Sequence, residues 1–318
     1  MIIANNKNNF EADTNMDRQK CNQRGRKVNI FIRFYTWRSG MVIFCLSINF
    51  WCTSVYADLF DDCKSGTPAQ ITADIQSGAD VNAKDNNGYS PLICAADHNS
   101  NPDVITVLIN AGAHVNATDN GGFTSLMFAA DHNTDTDVIK ALINAGADVN
   151  AKDNGGFTPL IFAASYNKNS DMITILIKAG ANVNATDKDG ETPLMDAASY
   201  NKDPDVIAAL IKAGAVVSTK DNAGETSLML AALLNTNPEM ITALIKAGED
   251  VNARDNDGRT PLMFAADNNT NPDVITTLIN NGADVNAKDN DGETALTIAQ
   301  NESNSQAVIA LLNAGAKN

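Results

Sequence analysis

Seven glycines, at positions 88, 122, 156, 190, 224, 258 and 292, stand 34 residues apart, each inside a similar segment such as Asp153 to Ala164, DNGGFTPLIFAA. A second series, Gly78, Gly112, Gly146, Gly180, Gly214, Gly248 and Gly282, keeps that period and then closes one residue early at Gly315. A fixed period of this length marks an array in which each unit buries its apolar face only against its neighbours. The 318 residues therefore read as one repetitive stack with a separate head, and not as two or three unrelated domains. A composition of 44% hydrophobic but only 6% aromatic residues suits such a thin stack better than one deep core.

Each period reads as a turn followed by two helices. Asp153-Asn-Gly-Gly156 is turn chemistry: glycine adopts positive φ, and the aspartate bonds backbone two residues on. Thr158 and Pro159 then supply an N-cap hydroxyl and a proline at the first helical position, where a missing N–H costs nothing. The short helix that follows carries paired alanines, as at Ala163 and Ala164, whose small size lets the next helix approach. A second helix starts after Asn101, Asp135, Asn169, Asp203, Asn237 or Asn271, all good N-caps. Val104, Ile105, Leu108 and Ile109 form its apolar stripe, and Gly112 ends it.

These residues resemble the ankyrin repeat: Thr-Pro-Leu-x-x-Ala-Ala, an apolar Leu-Ile, and Gly-Ala-Asp-Val-Asn-Ala recur across residues 58–318. The sequence departs from the family pattern in two respects. One extra residue lies between the helices, and the histidine after Thr-Pro-Leu is replaced by Ile93, Met127, Ile161, Met195, Met229 and Met263. Apolar packing is expected to replace that histidine's hydrogen bonding. The resemblance implies an all-α, right-handed solenoid of about eight helix-turn-helix units with β-hairpin-like turns. Residues 58–87 read as the N-terminal cap, 88–291 as six full repeats and 292–318 as the C-terminal cap. Ser125, Ser227 and Ala295 lack the helix-starting proline, and Val217-Ser-Thr219 replaces Val-Asn-Ala, so the unit near Gly224 is expected to be the weakest.

Residues 1–57 differ in charge and pattern. They hold eight of the 23 Lys and Arg and three of the 38 Asp and Glu, which leaves a net charge of −20 on residues 58–318. Arg33 and Arg38 precede an apolar run from Met41 to Trp51, and Val55 and Ala57 suit signal-peptidase positions before Asp58. The segment reads as a signal peptide or other membrane-targeting segment, and the apolar run is about half of the roughly 20 residues that a span needs. Export to a periplasmic, cell-surface or secreted location is expected, with an uncleaved anchor or a true start at Met16 as alternatives. The acidic body disfavours nucleic acid and anionic lipid, so membrane contact is expected only through the head, and a neutral or basic protein is the easier partner.

Candidate chemistry is sparse. Cys63 and Cys94, the only cysteines beyond the head, read as packed thiols. The alternating oxygens of Asp97, Asn99, Asn101 and Asp103 suggest a calcium loop but lack its glycine and distal glutamate. His98 and His132 lie one repeat apart, roughly 8–10 Å for stacked helices, too far to share a zinc ion. No nucleophile, base and orienter stand outside the repeating pattern, so no catalytic residue, metal or cofactor is expected. Asp196 is an odd acid where other units have Cys94, Phe128, Phe162, Leu230 and Phe264, and could face solvent or a basic partner.

What varies between units is more informative. Tyr89, Phe123 and Phe157 follow the turn glycine, where later units carry Glu191, Glu225, Arg259 and Glu293. Two residues after Ala-Ala the series runs His98, His132, Tyr166, Tyr200, Leu234, Asn268. In ankyrin-like proteins such positions lie on the turn tips and the concave helix face, which the resemblance implies as the partner surface. Tyr89, His98, Phe123, His132, Phe157, Tyr166 and Tyr200 are accordingly the expected partner-binding residues of a monomeric protein-binding scaffold. For Phe128 and Phe162, packing between helices is an equally good reading. The rival readings are a passive, self-associating envelope element and a calcium- or ligand-binding repeat protein.

Overall fold

A computed structural model describes residues 55–166 and 169–317. The expected targeting segment lies almost wholly outside the described residues. Helix α1 (Val55–Ser65) begins just ahead of Asp58 and pairs with α2 (Pro68–Gln76). Six regular pairs follow: α3 (Pro91–His98) with α4 (Pro102–Asn110), α5 (Ser125–His132) with α6 (Thr136–Asn144), α7 (Pro159–Tyr166) with α8 (Ser170–Lys178), α9 (Pro193–Tyr200) with α10 (Pro204–Lys212), α11 (Ser227–Leu234) with α12 (Pro238–Lys246), and α13 (Pro261–Asn268) with α14 (Pro272–Asn280). The last pair is α15 (Ala295–Asn301) with α16 (Ser305–Asn313). First helices pack on first helices and second on second, giving two layers of eight among the described residues.

The local chemistry follows the repeat. In α3, α5, α9 and α11 the Ser or Thr cap accepts from the N3 backbone, as in Ser90 Oγ from Ile93 N at 3.2 Å. All six expected Asn or Asp caps of the second helices accept from the second residue of the helix, Asn101 Oδ1 from Asp103 N at 2.9 Å for example. Gly156 sits at φ +92°, and a Cβ there would lie 3.0 Å from the Asp187 Cα, so conformation and space both require glycine. Asp153 Oδ1 binds Gly155 N and Phe157 N at 2.8 Å each, closing the tip. The hairpin-like character is confined to such turns, because the described residues contain no named strand and one isolated bridge, Thr118 with Thr124.

The core is the sum of the stripes. Val104, Ile105 and Leu108 are fully buried, as are their counterparts in the other regular second helices. Ala163 and Ala164 are fully buried between α5, α7 and α9. Ala164→Leu is expected to overpack that junction and lower stability by about 1–3 kcal/mol in urea unfolding, because the helices cannot separate without losing the contacts on either side.

The methionines that stand in for the family's histidine do more than pack. The sulfurs of Met127, Met195, Met229 and Met263 each lie 3.4 Å from the backbone N of the cap threonine three residues earlier. The thioether accepts weakly the N–H left over at the helix start.

Asparagines stitch neighbouring units. Asn82, Asn116, Asn150, Asn184 and Asn252 donate to a glycine carbonyl in the next unit at 3.0–3.1 Å, and their Oδ1 atoms accept a backbone N–H two residues beyond it. Ser218 occupies the equivalent position before Gly248 and makes no such clip. In the same junction Glu249 replaces the usual alanine, is 6% exposed, and accepts from Leu228 N at 3.0 Å. Burial pushes its carboxyl up to about 7, against the pull of that bond. The expected weak unit thus loses one clip and buries an acid.

Candidate partner-binding site

Two rows of side chains run along the first helices and their turns. The tip row does not stand free. Tyr89 packs on Phe128 with ring centroids 5.0 Å apart, and Phe128 lies 5.3 Å from Phe123. Phe123 is 5.2 Å from Phe162, which is 5.6 Å from Phe157. Tyr89 and Phe123 each wedge against the helix aromatic one unit on, Phe157 packs on Phe162 of its own unit, and the five rings make one continuous stack. Phe128 is 8% exposed, as ordinary packing between helices requires, and the three tip rings are half-buried. Such contacts add about 0.5–1.5 kcal/mol each beyond the area they bury.

The helix-end row is exposed. His98, His132, Tyr166 and Tyr200 all face solvent, with Tyr166 at 56% and Tyr200 at 46% exposure and their rings stacked at 5.7 Å. Sequence spacing places the two histidines too far apart to share a metal, and the structure shows what they share instead. Asp97 takes His132 Nδ1 at 2.7 Å and His98 Nδ1 at 3.2 Å, while His132 Nε2 lies 3.3 Å from Asp131. Burial pushes the Asp131 carboxyl up, and His132 draws it back down. The carboxylates that end the Ala-Ala-Asp segments are thus part of this face, a role the sequence pattern alone does not single out.

The calcium-like oxygens have other duties. Asn99 is 6% exposed; its amide donates to Cys63 O at 3.2 Å and Gly66 O at 3.1 Å, and its Oδ1 accepts from Asn101 N at 3.0 Å. Asn101 in turn caps α4. Among the described residues no group of His, Cys, Asp and Glu could hold a metal ion. Cys63 and Cys94 are buried free thiols, both pushed up by burial, Cys94 to about 11, so neither is a ready nucleophile.

Asp196 corrects an expectation. It does not face solvent: it is 3% exposed, and Ser165 Oγ of the preceding unit donates to its Oδ1 at 3.1 Å. Burial first, then the charge of Glu191, push its carboxyl up to about 8. Glu191 itself is pushed up to about 7 by burial and then by Asp187. Two units on, Arg259 holds its guanidinium 4.5 Å over the Phe264 ring and pairs with Asp267 at 2.6 Å.

A family model described as ankyrin repeats in three copies matches residues 59–153, 126–221 and 228–318. No curated protein matches the chain. The sixteen paired helices, the hairpin-like tips and the three family matches together cover nearly all of residues 59–318, and the chain belongs to the ankyrin repeat family.

Proposed function

We propose that this protein is a binding scaffold that seats a partner protein on the exposed face carrying His98, His132, Tyr166 and Tyr200, with the edges of Tyr89, Phe123 and Phe157 beside it. Ankyrin repeats are in general protein-interaction scaffolds. The observation that carries the reading is the stacked Tyr166–Tyr200 pair, two large rings left in water at a position that folding does not need filled. Rigid aromatic groups of this kind bind at low entropic cost and dominate interface energies. The readings of export through the N-terminal segment and of a monomer belong to the same proposal and rest on sequence pattern.

Crosslinked affinity capture with the full chain tests it. A variant with Tyr166, Tyr200, His98 and His132 changed to Ser is expected to melt close to the parent, since all four face solvent, and to lose the captured protein. A second variant, Phe123→Ser with Phe157→Ser, is expected to lose stability as well, because those rings sit in the stack. If both variants retain the parent's partner, or the parent captures only copies of itself, the scaffold reading fails and self-association takes its place.

A further inference from the structure

The aromatic stack stops at one unit. Beyond Tyr89, Phe123 and Phe157 the tip residue is Glu191, and beyond Phe128 and Phe162 the helix residue is Asp196. Two carboxylates stand where a pair of rings would otherwise continue the row. Asp196 is 3% exposed, and although Ser165 holds its Oδ1, its Oδ2 has no hydrogen-bond partner among the described residues. Neither it nor half-buried Glu191 forms an ion pair with a described cation. Glu191 and Asp187 act on Asp196, and the Asp187, Asp221, Asp189 and Glu225 carboxylates act on Glu191. The charge of Asp196 also reaches the phenols of Tyr166 and Tyr200, which sets the stacked rings beside the same notch. A buried acid with an empty oxygen is costly to keep in an otherwise apolar row.

The unit built around Arg259 shows the same positions filled. Arg259 takes the tip position of Glu191, lies over the helix residue Phe264 that corresponds to Asp196, and donates to Asp267. A guanidinium therefore fits between the turn tip and the first helix of this repeat. In the Glu191 unit the acids are present and no described cation pairs with them.

We infer that the notch formed by Glu191, Asp196, Ser165 and the stacked Tyr166–Tyr200 pair receives one lysine or arginine side chain of the partner protein. The inference rests on the scaffold reading and names the chemistry that the scaffold recognises. The tyrosine faces attract the cation and its alkyl stem. The carboxyls that hold protons in the free chain ionise as the cation enters, so binding releases those protons to solvent and strengthens as pH rises. The net charge of −20 on residues 58–318 draws basic partners toward the face over longer distances.

The test uses a short Gly-Ser peptide carrying one lysine, and its norleucine counterpart, titrated into the full chain while the ring resonances of Tyr166 and Tyr200 are followed. The lysine peptide is expected to shift both rings at millimolar concentration and the norleucine peptide to shift neither. Binding is expected to strengthen about tenfold between about pH 6 and about pH 9. Asp196→Asn and Glu191→Gln each weaken it about tenfold at the upper pH and flatten the pH dependence. Asp205→Asn, which removes one exposed charge elsewhere on the chain, leaves it unchanged. Melting curves of the two notch variants guard against misfolding, since each removes an acid that burial, full or partial, penalises when charged, and should melt no lower than the parent. Equal response to both peptides, or an equal loss in the Asp205→Asn variant, overturns the notch. If the capture experiment finds a partner that the Asp196→Asn and Glu191→Gln variants hold as well as the parent, the notch falls and the scaffold stands. If no protein is captured at all, the scaffold itself falls.

Discussion

Asn235→Ala lowers the stability of the stack by about 3 kcal/mol, a loss that only its counterparts in other units should match among single polar side chains here. The side chain is 3% exposed and makes three bonds that no other group can replace. Its amide donates to Ala198 O at 2.9 Å and to Asn201 O at 2.7 Å in the preceding unit, and its Oδ1 accepts from Asn237 N at 3.0 Å. Truncation leaves a donor and two acceptors without their partner at a buried position, and each such net bond contributes about 1 kcal/mol before the desolvation penalty. Asn269 repeats the arrangement, reaching Ala232 O at 2.7 Å and Asn235 O at 2.9 Å, so the two substitutions should behave alike. Because a linear stack is stabilised by neighbour interfaces, the loss should also loosen cooperativity across the α9–α11 junction. Urea unfolding followed by circular dichroism measures the first effect and amide exchange of α9 and α11 the second. A change below about 1 kcal/mol would show that the carbonyls find other donors.

Asp196→Asn is expected to act in the opposite direction and to do so only above acidic pH. The folded Asp196 carboxyl is raised from 3.8 to about 8, chiefly by burial and then by Glu191. In the unfolded chain it ionises near its ordinary value, so between the two midpoints the folded state binds the extra proton. Stability contributed by this group is therefore fully present below about pH 4 and falls as pH rises toward about 8, at up to about 1.4 kcal/mol per pH unit. Glu191 and Glu249, both raised to about 7, add to the same slope. Asparagine keeps an oxygen for Ser165 and has no charge to suppress. The variant should match the parent near pH 4 and exceed it by about 2–4 kcal/mol near pH 8. Thermal or urea unfolding across that range decides it, and parallel curves for parent and variant would mean that Asp196 is solvated in the folded protein.

Much of the fold was legible in the residues, because repeat architecture is written locally. Turn glycines, cap side chains and apolar stripes act over four or five residues, so Gly156, Asp153, Thr158 and Asn101 declare their roles without reference to the rest of the chain. The buried asparagines were not legible, since Asn99 and Asn235 look like loop residues until the preceding unit is placed against them. Met195 read as a plain apolar substitute, and only the cap geometry shows its sulfur meeting the Thr192 N–H at 3.4 Å. For the candidate face, the exposure of Tyr166 and Tyr200 followed from their place after Ala-Ala, but the half-burial of Tyr89, Phe123 and Phe157 did not. That depends on Phe128 and Phe162, which for Tyr89 and Phe123 reach across from the next unit.

The sequence by itself determined the repeat, its helices, their ends and the family, because these rest on contacts between residues near in the chain and on a pattern stated many times. Tertiary structure alone decided what meets across a period: that Asp97 gathers both histidines, that five rings form one stack, and that Asp196 is buried against Ser165 of the preceding unit. The physical reason is that side chains 31 to 37 residues apart come within hydrogen-bonding distance only when one unit is stacked on the next. No local pattern encodes which variable residue will face which across that junction.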